Sequence, residues 1–349
     1  NSKALNEIRR RFTVDNTNLT CIRGCYVSEK REIISMFKLP PVSLPPEEGD
    51  RYLSLFKKTL SGTPDKNLVE IPFANEAVGV SDEHKLLTAL RDTAITDDDM
   101  AEVFFQRVLA GLPQEGSFLI LLAHDAYDVP FRNHNGERNN EMSDEVFKYI
   151  ICAVCPVKLS KASLSYCAAD NLFHPSEPDW VVGAPELGFM FPCFEERAAN
   201  IYSALCYTRD PAQSHEGFVH AVFGSEPPMP AEEQKEIFQE ILQDTLAEEC
   251  SLEVVQTMHE QMRDRIAEQK SEKNAEPLRV SVPEVRQALA ACGVPEEKAD
   301  AFEEQYTRRF GAGMDVSAAN VVDVKQFEVR TPNVVIKVDP AHSDLVETA

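Results

Sequence analysis

The chain of 349 residues lacks long apolar runs. The longest, Phe118 to Ala123 and Tyr149 to Val154, are far shorter than a membrane span requires. Basic residues are scarce, with 35 Lys and Arg against 58 Asp and Glu and a net charge of -23. That balance repels phosphate backbones, so binding to nucleic acid or to anionic membranes is disfavoured. No glycine pattern fits a phosphate loop, since Ser61-Gly62-Thr63 lacks the spacing. Internal repeats, low-complexity tracts and sustained heptads are absent. The first residues have no apolar core of the kind a signal peptide needs.

What is present is ordinary globular material: 43% hydrophobic and 27% charged residues, in a length that suggests two domains at roughly one per 150 residues. Nine cysteines, an odd number, sit mostly in apolar runs such as Ile150 to Cys155. That is the pattern of reduced, buried thiols, and it predicts a cytoplasmic protein. Cys152 and Cys155 have the gap of a metal knuckle, but no second knuckle follows and Cys167 and Cys193 come at irregular distances. On a strand, a gap of three sends the two thiols to opposite faces. No metal and no cofactor is therefore expected.

The periodicities predict an α+β fold: a mainly antiparallel sheet with flanking helices, plus a small C-terminal helix-helix-strand-strand module. Strands are expected at 20–27, 32–39, 67–73, 117–123, 146–157, 164–168, 187–194 and 201–207, with a polar loop from Asp128 to Met142. Helices are expected near 5–12 and after Pro46, Ser81 and Thr96, the last with Gly111 just beyond its end. From Glu226 to Glu272 there are 13 acids and 4 bases, on two helices expected to pack one face on the sheet. Residues 271–280 form a linker, which sets domains at 1–270 and 281–349. The second opens on a capping box, Ser281-Val282-Pro283-Glu284. Trp180, the only tryptophan, is expected to anchor a loop against the core.

Several stretches carry a family resemblance. They are Glu7-Ile8-Arg9-Arg10-Arg11-Phe12, Ile22-Arg23-Gly24-Cys25-Tyr26-Val27, Lys57-Lys58-Thr59-Leu60-Ser61-Gly62-Thr63, Cys155-Pro156-Val157-Lys158-Leu159-Ser160, Gly188-Phe189-Met190-Phe191-Pro192 and Pro228-Met229-Pro230-Ala231. Together they resemble, over nearly the whole chain, a family of uncharacterised proteins of Gram-positive anaerobes catalogued as domain of unknown function 4317. The resemblance implies a bacterial cytoplasmic protein and brings no activity, cofactor or site residue. It also implies a further strand-like stretch past Asp344 to Glu347, so that the last sheet lacks an edge.

Candidate chemistry is sparse. His124, Asp125 and Asp128 follow the apolar strand at 117–123, where a strand end could position a hydrolytic or metal-binding group. The plain alternative is that they only end the strand. Cys193, Cys206, His215 and His220 are the nearest set for nucleophilic catalysis, without a local signature. Asp323-Val-Lys325 and Glu328-Val-Arg330 are faint nuclease-like triplets, of a kind that arises often by chance. Residues 1–40 hold 8 bases and 4 acids, a net of +4 on an otherwise acidic chain. Arg9, Arg10 and Arg11 could touch a polyanion, but docking on the chain's own acidic body is favoured because that body is tethered nearby. The leading expectation is a non-catalytic interaction or regulatory protein that binds an unknown protein partner or itself. An enzyme built on His124, Asp125 and Asp128 is the alternative, and a nucleic-acid-associated protein using Arg9 to Arg11 the second.

Overall fold

A computed structural model describes residues 2–132, 138–246, 252–271, 278–311, 313–322, 327–331 and 334–338. The fold is α+β, and the chain divides into two compact units, one holding residues 3–63 and 67–228, the other 64–66 and 229–349.

In the first unit the order is α1 (Ser2–Arg9), β1 (Ile22–Val27), β2 (Ile33–Leu39), α2 (Pro46–Thr59), β3 (Leu68–Pro72), α3 (Asp82–Asp92), α4 (Asp98–Gly111), β4 (Ser117–Arg132) and β5 (Arg138–Leu159). Then come β6 (Ser163–Cys167), β7 (Leu172–Ser176), β8 (Trp180–Val182), β9 (Leu187–Phe191), β10 (Cys193–Glu195), β11 (Ala198–Asn200), β12 (Ser203–Thr208) and α5 (Glu216–Phe223). The main sheet runs β2-β1-β4-β5-β9-β12-β3, with β8 on the end of β5, and every pairing is antiparallel.

Both faces of this sheet are covered, so alternate residues of β4 and β5 enter different cores. Phe118, Ile120, Leu122, Ile150, Cys152 and Val154 pack with α3, α4 and α5. Leu119, Leu121, Ala123, Tyr149, Ile151, Ala153 and Cys155 pack with α1 and α2. This explains the unbroken apolar runs of the sequence, and it separates Cys152 from Cys155 by face as expected. Each helix presents its periodic residues inward: Ile8 and Phe12, then Leu53, Phe56 and Leu60, then Leu87 and Leu90.

Three local expectations are corrected. Asp97, not Thr96, caps α4, because its carboxylate accepts the Met100 amide at 2.9 Å while the Thr96 hydroxyl donates back to Thr93. Gly111, expected beyond α4, is its last residue, and it is glycine because α5 approaches closely: a Cβ there would lie 2.6 Å from the Phe218 Cα. The strand at 117–123 continues to Arg132, and β5 begins at Arg138, so most of the expected polar loop is ladder; residues 133–137 lie outside the described residues.

The second unit comprises α6 (Ala231–Leu246), α7 (Leu252–Ser271), β13 (Arg279–Val280), α8 (Val282–Ala291), α9 (Glu296–Phe310), β14 (Val316–Ser317), α10 (Ala318–Val321), β15 (Phe327–Thr331) and β16 (Val334–Val338). The capping box forms, with the Ser281 amide donating to Glu284 at 2.9 Å. The acidic helices pack elsewhere than expected. Ile237, Phe238, Ile241 and Leu242 of α6 and Met258, Met262 and Ile266 of α7 share one core with Val285, Leu289, Phe302 and Tyr306. Their apolar stripes thus pack within the second compact unit, which includes residues 229–349. The stretch 339–349, including the segment past which a further strand was expected, lies outside the described residues. Among the described residues no helix is long and apolar enough to cross a membrane.

Burial pushes the Cys25 thiol up to about 11, and those of Cys155, Cys193 and Cys206 to about 12. Thiolate is the reactive form. In the native protein these four thiols, with Cys152, are expected to resist maleimide while the half-buried Cys167 labels, read by peptide mass mapping. Equal labelling of all six without denaturant would contradict the packing.

Candidate functional site

The extension of β4 changes what its polar residues can do. His124 pairs across the ladder with Ile150, and Asp125 with Tyr149. Adjacent strand residues face opposite ways, so His124 lies on the α3 side and Asp125 on the α1 side. Asp128 shares the His124 parity and is exposed. The pleat therefore divides the three residues instead of converging them, because they lie within a strand and not at its end.

Asp125 is instead joined to a residue from the other candidate set. The Arg11 Nε donates to its Oδ2 at 2.7 Å and Nη2 to its Oδ1 at 2.9 Å, a bidentate pair whose side chains are 13% and 2% exposed. The Tyr149 hydroxyl donates to Oδ2 at 2.8 Å. The Arg11 guanidinium also lies 4.6 Å from the centre of the Tyr127 ring, a cation–π distance. The Tyr127 hydroxyl donates to Glu7, and Arg197 donates to Glu7 at 2.9 Å and to the Pro130 carbonyl at 2.5 Å. These groups tie the N-terminal segment and the β10–β11 turn to β4 and β5.

The electrostatics follow from burial. Burial alone works against the Arg11 charge, but the Asp125 hydrogen bonds and charge outweigh it and hold its pKa above the ordinary value. Burial, then the Asp125 charge, pushes Tyr149 well above the usual phenol range, so it stays protonated and donates. With three donors upon it, the Asp125 carboxylate is committed as an acceptor. Arg9 donates to Asn6, and Arg10 is exposed. Arg23 is likewise taken up internally, by Ile95, Thr96 and Asp98, and Arg31 by carbonyls at Leu109, Leu112 and Pro113. Much of the basic excess at residues 1–40 is spent inside the fold.

The other candidates are scattered. His215 bonds the Thr208 hydroxyl at 3.0 Å, and His220 faces Glu216 and Glu226. Asp323 and Lys325 lie outside the described residues. A shallow depression on α4, lined by Asp99, Glu102, Val103, Gln106, Arg107 and Ala110, includes none of these candidates.

The unexpected feature is an excursion between β5 and β9. β6 and β7 pair only with each other, as a hairpin, and β8 returns to the end of β5. Eight of the seventeen large apolar side chains exposed among the described residues fall between Leu159 and Val182. Register puts Leu164, Tyr166, Phe173 and Pro175 on one hairpin face, where the rings of Tyr166 and Phe173 lie 5.4 Å apart. The other face carries Ser163, Ser165, Cys167, His174 and Ser176, with the apolar Leu172 opposite Cys167. Trp180 is 51% exposed in β8, not anchored on the core, because β8 is an edge strand with its apolar residues outside both sheet cores. The alternation of Phe173 and Pro175 with polar neighbours, after the turn residues Asp170 and Asn171, was the available signal for β7.

Two outcomes are expected here. Arg11→Met should lower the unfolding free energy by about 3 kcal/mol, since it strands a buried carboxylate, whereas Arg11→Met with Asp125→Leu and Tyr149→Phe should recover most of it; urea midpoints that fall further in the triple variant would contradict the pairing. For His124, burial pushes the pKa below its ordinary 6.5; the Asp125 charge and a backbone hydrogen bond at Arg91 oppose this, and the Lys148 charge adds to it. The unfolded chain then takes up the proton first as pH falls, so stability drops through about pH 6.5 downward. His124→Gln should flatten that decline between pH 7.5 and 5.5, and an unchanged slope in denaturant melts would count against it.

One protein family, described as Domain of unknown function (DUF4317), matches residues 1–349, and the chain belongs to that family. No curated protein and no solved structure matches it.

Proposed function

We propose that this member of a family without an assigned function is a non-catalytic, cytoplasmic binding protein whose contact surface is the excursion from Leu159 to Val182. The observation that carries the reading is the concentration of exposed apolar side chains there, among them Leu164, Tyr166, Leu172, Phe173, Trp180 and Val181. Clustered exposure of this kind marks contact sites, whereas single exposed apolar residues need no explanation. The free edge of β8 adds unpaired backbone groups that an extended partner segment could use.

Charge selects the kind of partner. Two copies of a chain with a net charge of -23 repel one another. The partner is therefore a different protein, with an apolar surface rimmed by basic residues. Buried, unreactive thiols support a reducing compartment. An enzymatic role for His124, Asp125 and Asp128 is disfavoured by their division between sheet faces, and polyanion binding by the internal use of Arg11.

A photo-crosslinking residue placed at Phe173 in the full chain, in its native host, is expected to trap one defined protein. The same residue at Val103, exposed on α4, should trap none. An adduct only with a second copy, or equal adducts from both positions, would overturn the reading.

A further inference from the structure

The polar face of the β6–β7 hairpin brings together three different donor atoms. Cys167 pairs across the ladder with Leu172, and Ser165 with His174. Cys167 and His174 are thus diagonal neighbours on one face, close enough for their side chains to meet. Asp170 lies in the four-residue turn between the strands, where its carboxylate accepts the Leu172 amide at 3.1 Å and fixes the turn. The His174 Nε2 is 2.5 Å from Asp170 Oδ2. The Cys167 Sγ, an Asp170 oxygen and a His174 nitrogen all lie within 4.8 Å of one another.

From this geometry we propose that Cys167, Asp170 and His174 bind a zinc ion. Thiolate, imidazole and carboxylate together are a zinc donor set, with bonds of about 2.0–2.3 Å that place tetrahedral ligand atoms about 3.5 Å apart. The existing spacing needs only side-chain rotation to reach this. Binding displaces the thiol proton of Cys167 to solvent and forms the Zn–S bond; His174 gives up its contact with Asp170 and coordinates as neutral imidazole. Three protein ligands leave a fourth position for water or for a donor brought by another molecule. The second mixed cluster, Glu216, His220 and Glu226, is fully exposed and has no thiol, so it suits zinc less well.

The site also answers a structural problem. An isolated two-stranded hairpin is marginal in water, and this one pairs with no other strand. A metal joining β6, the turn and β7 would hold the strands in register. The inference stands on donor geometry and does not depend on the binding role above.

The test uses the purified full chain, freed of metal by chelation, with zinc alone as the probe and cobalt as a spectroscopic substitute. One zinc per chain is expected by calorimetry, and bound cobalt should show a thiolate charge-transfer band. Cys167→Ser should abolish that band, and His174→Gln should weaken zinc binding about tenfold or more. Both side chains sit on the exposed hairpin, so circular dichroism melts of the variants should match the metal-free parent. No binding by the parent overturns the proposal. So does binding that survives both substitutions, or that is lost in His220→Gln instead.

Discussion

The structure depends on a sheet that is dry on both sides. Once β4 and β5 are covered by α3, α4 and α5 on one face and by α1 and α2 on the other, every second residue must satisfy a different core. A polar group along the middle of either strand is costly to bury unless a partner reaches it. Asp125 meets that condition through Arg11 and Tyr149. The same alternation parts His124 from Asp125 and Cys152 from Cys155. Of the ionisable groups that look most chemical in sequence, Asp125 is held by Arg11 and Tyr149, His124 is buried on the other face, and Asp128 is exposed.

Much of this was legible from residue patterns. The β1–β2 hairpin, the helix capped by Ser81, the central antiparallel pair and the capping box at Ser281 all follow from local rules, and the structure contains them. What could not be read is long-range. Arg11 and Asp125 stand 114 positions apart, and no spacing rule links them. The polar stretch after Ala123 looked like a loop because a ladder position at the far end of a long strand need not be apolar. The acidic helices α6 and α7 carry stripes that fit any apolar surface, so their attachment to the C-terminal unit is invisible in periodicity.

The excursion at 159–182 breaks the economy of the rest. The apolar residues at the centres of β4, β5 and β9 find a core, whereas here they face solvent, as Ile34 and Met36 of β2 also do. Its two faces differ: Leu164, Tyr166, Phe173 and Pro175 lie on one, and Cys167, Leu172 and His174 on the other, beside the turn residue Asp170. This exposed apolar surface belongs to a chain whose net charge of -23 sets copies against one another.

Hydrogen exchange followed by mass spectrometry tests this division of the molecule most directly. The account predicts that amides at 118–123 and 150–155 exchange only through global unfolding, while those at 163–176 exchange orders of magnitude faster in the isolated, metal-free protein. Protection of 163–176 equal to that of the central strands would show the excursion to be part of the core, and would contradict the account.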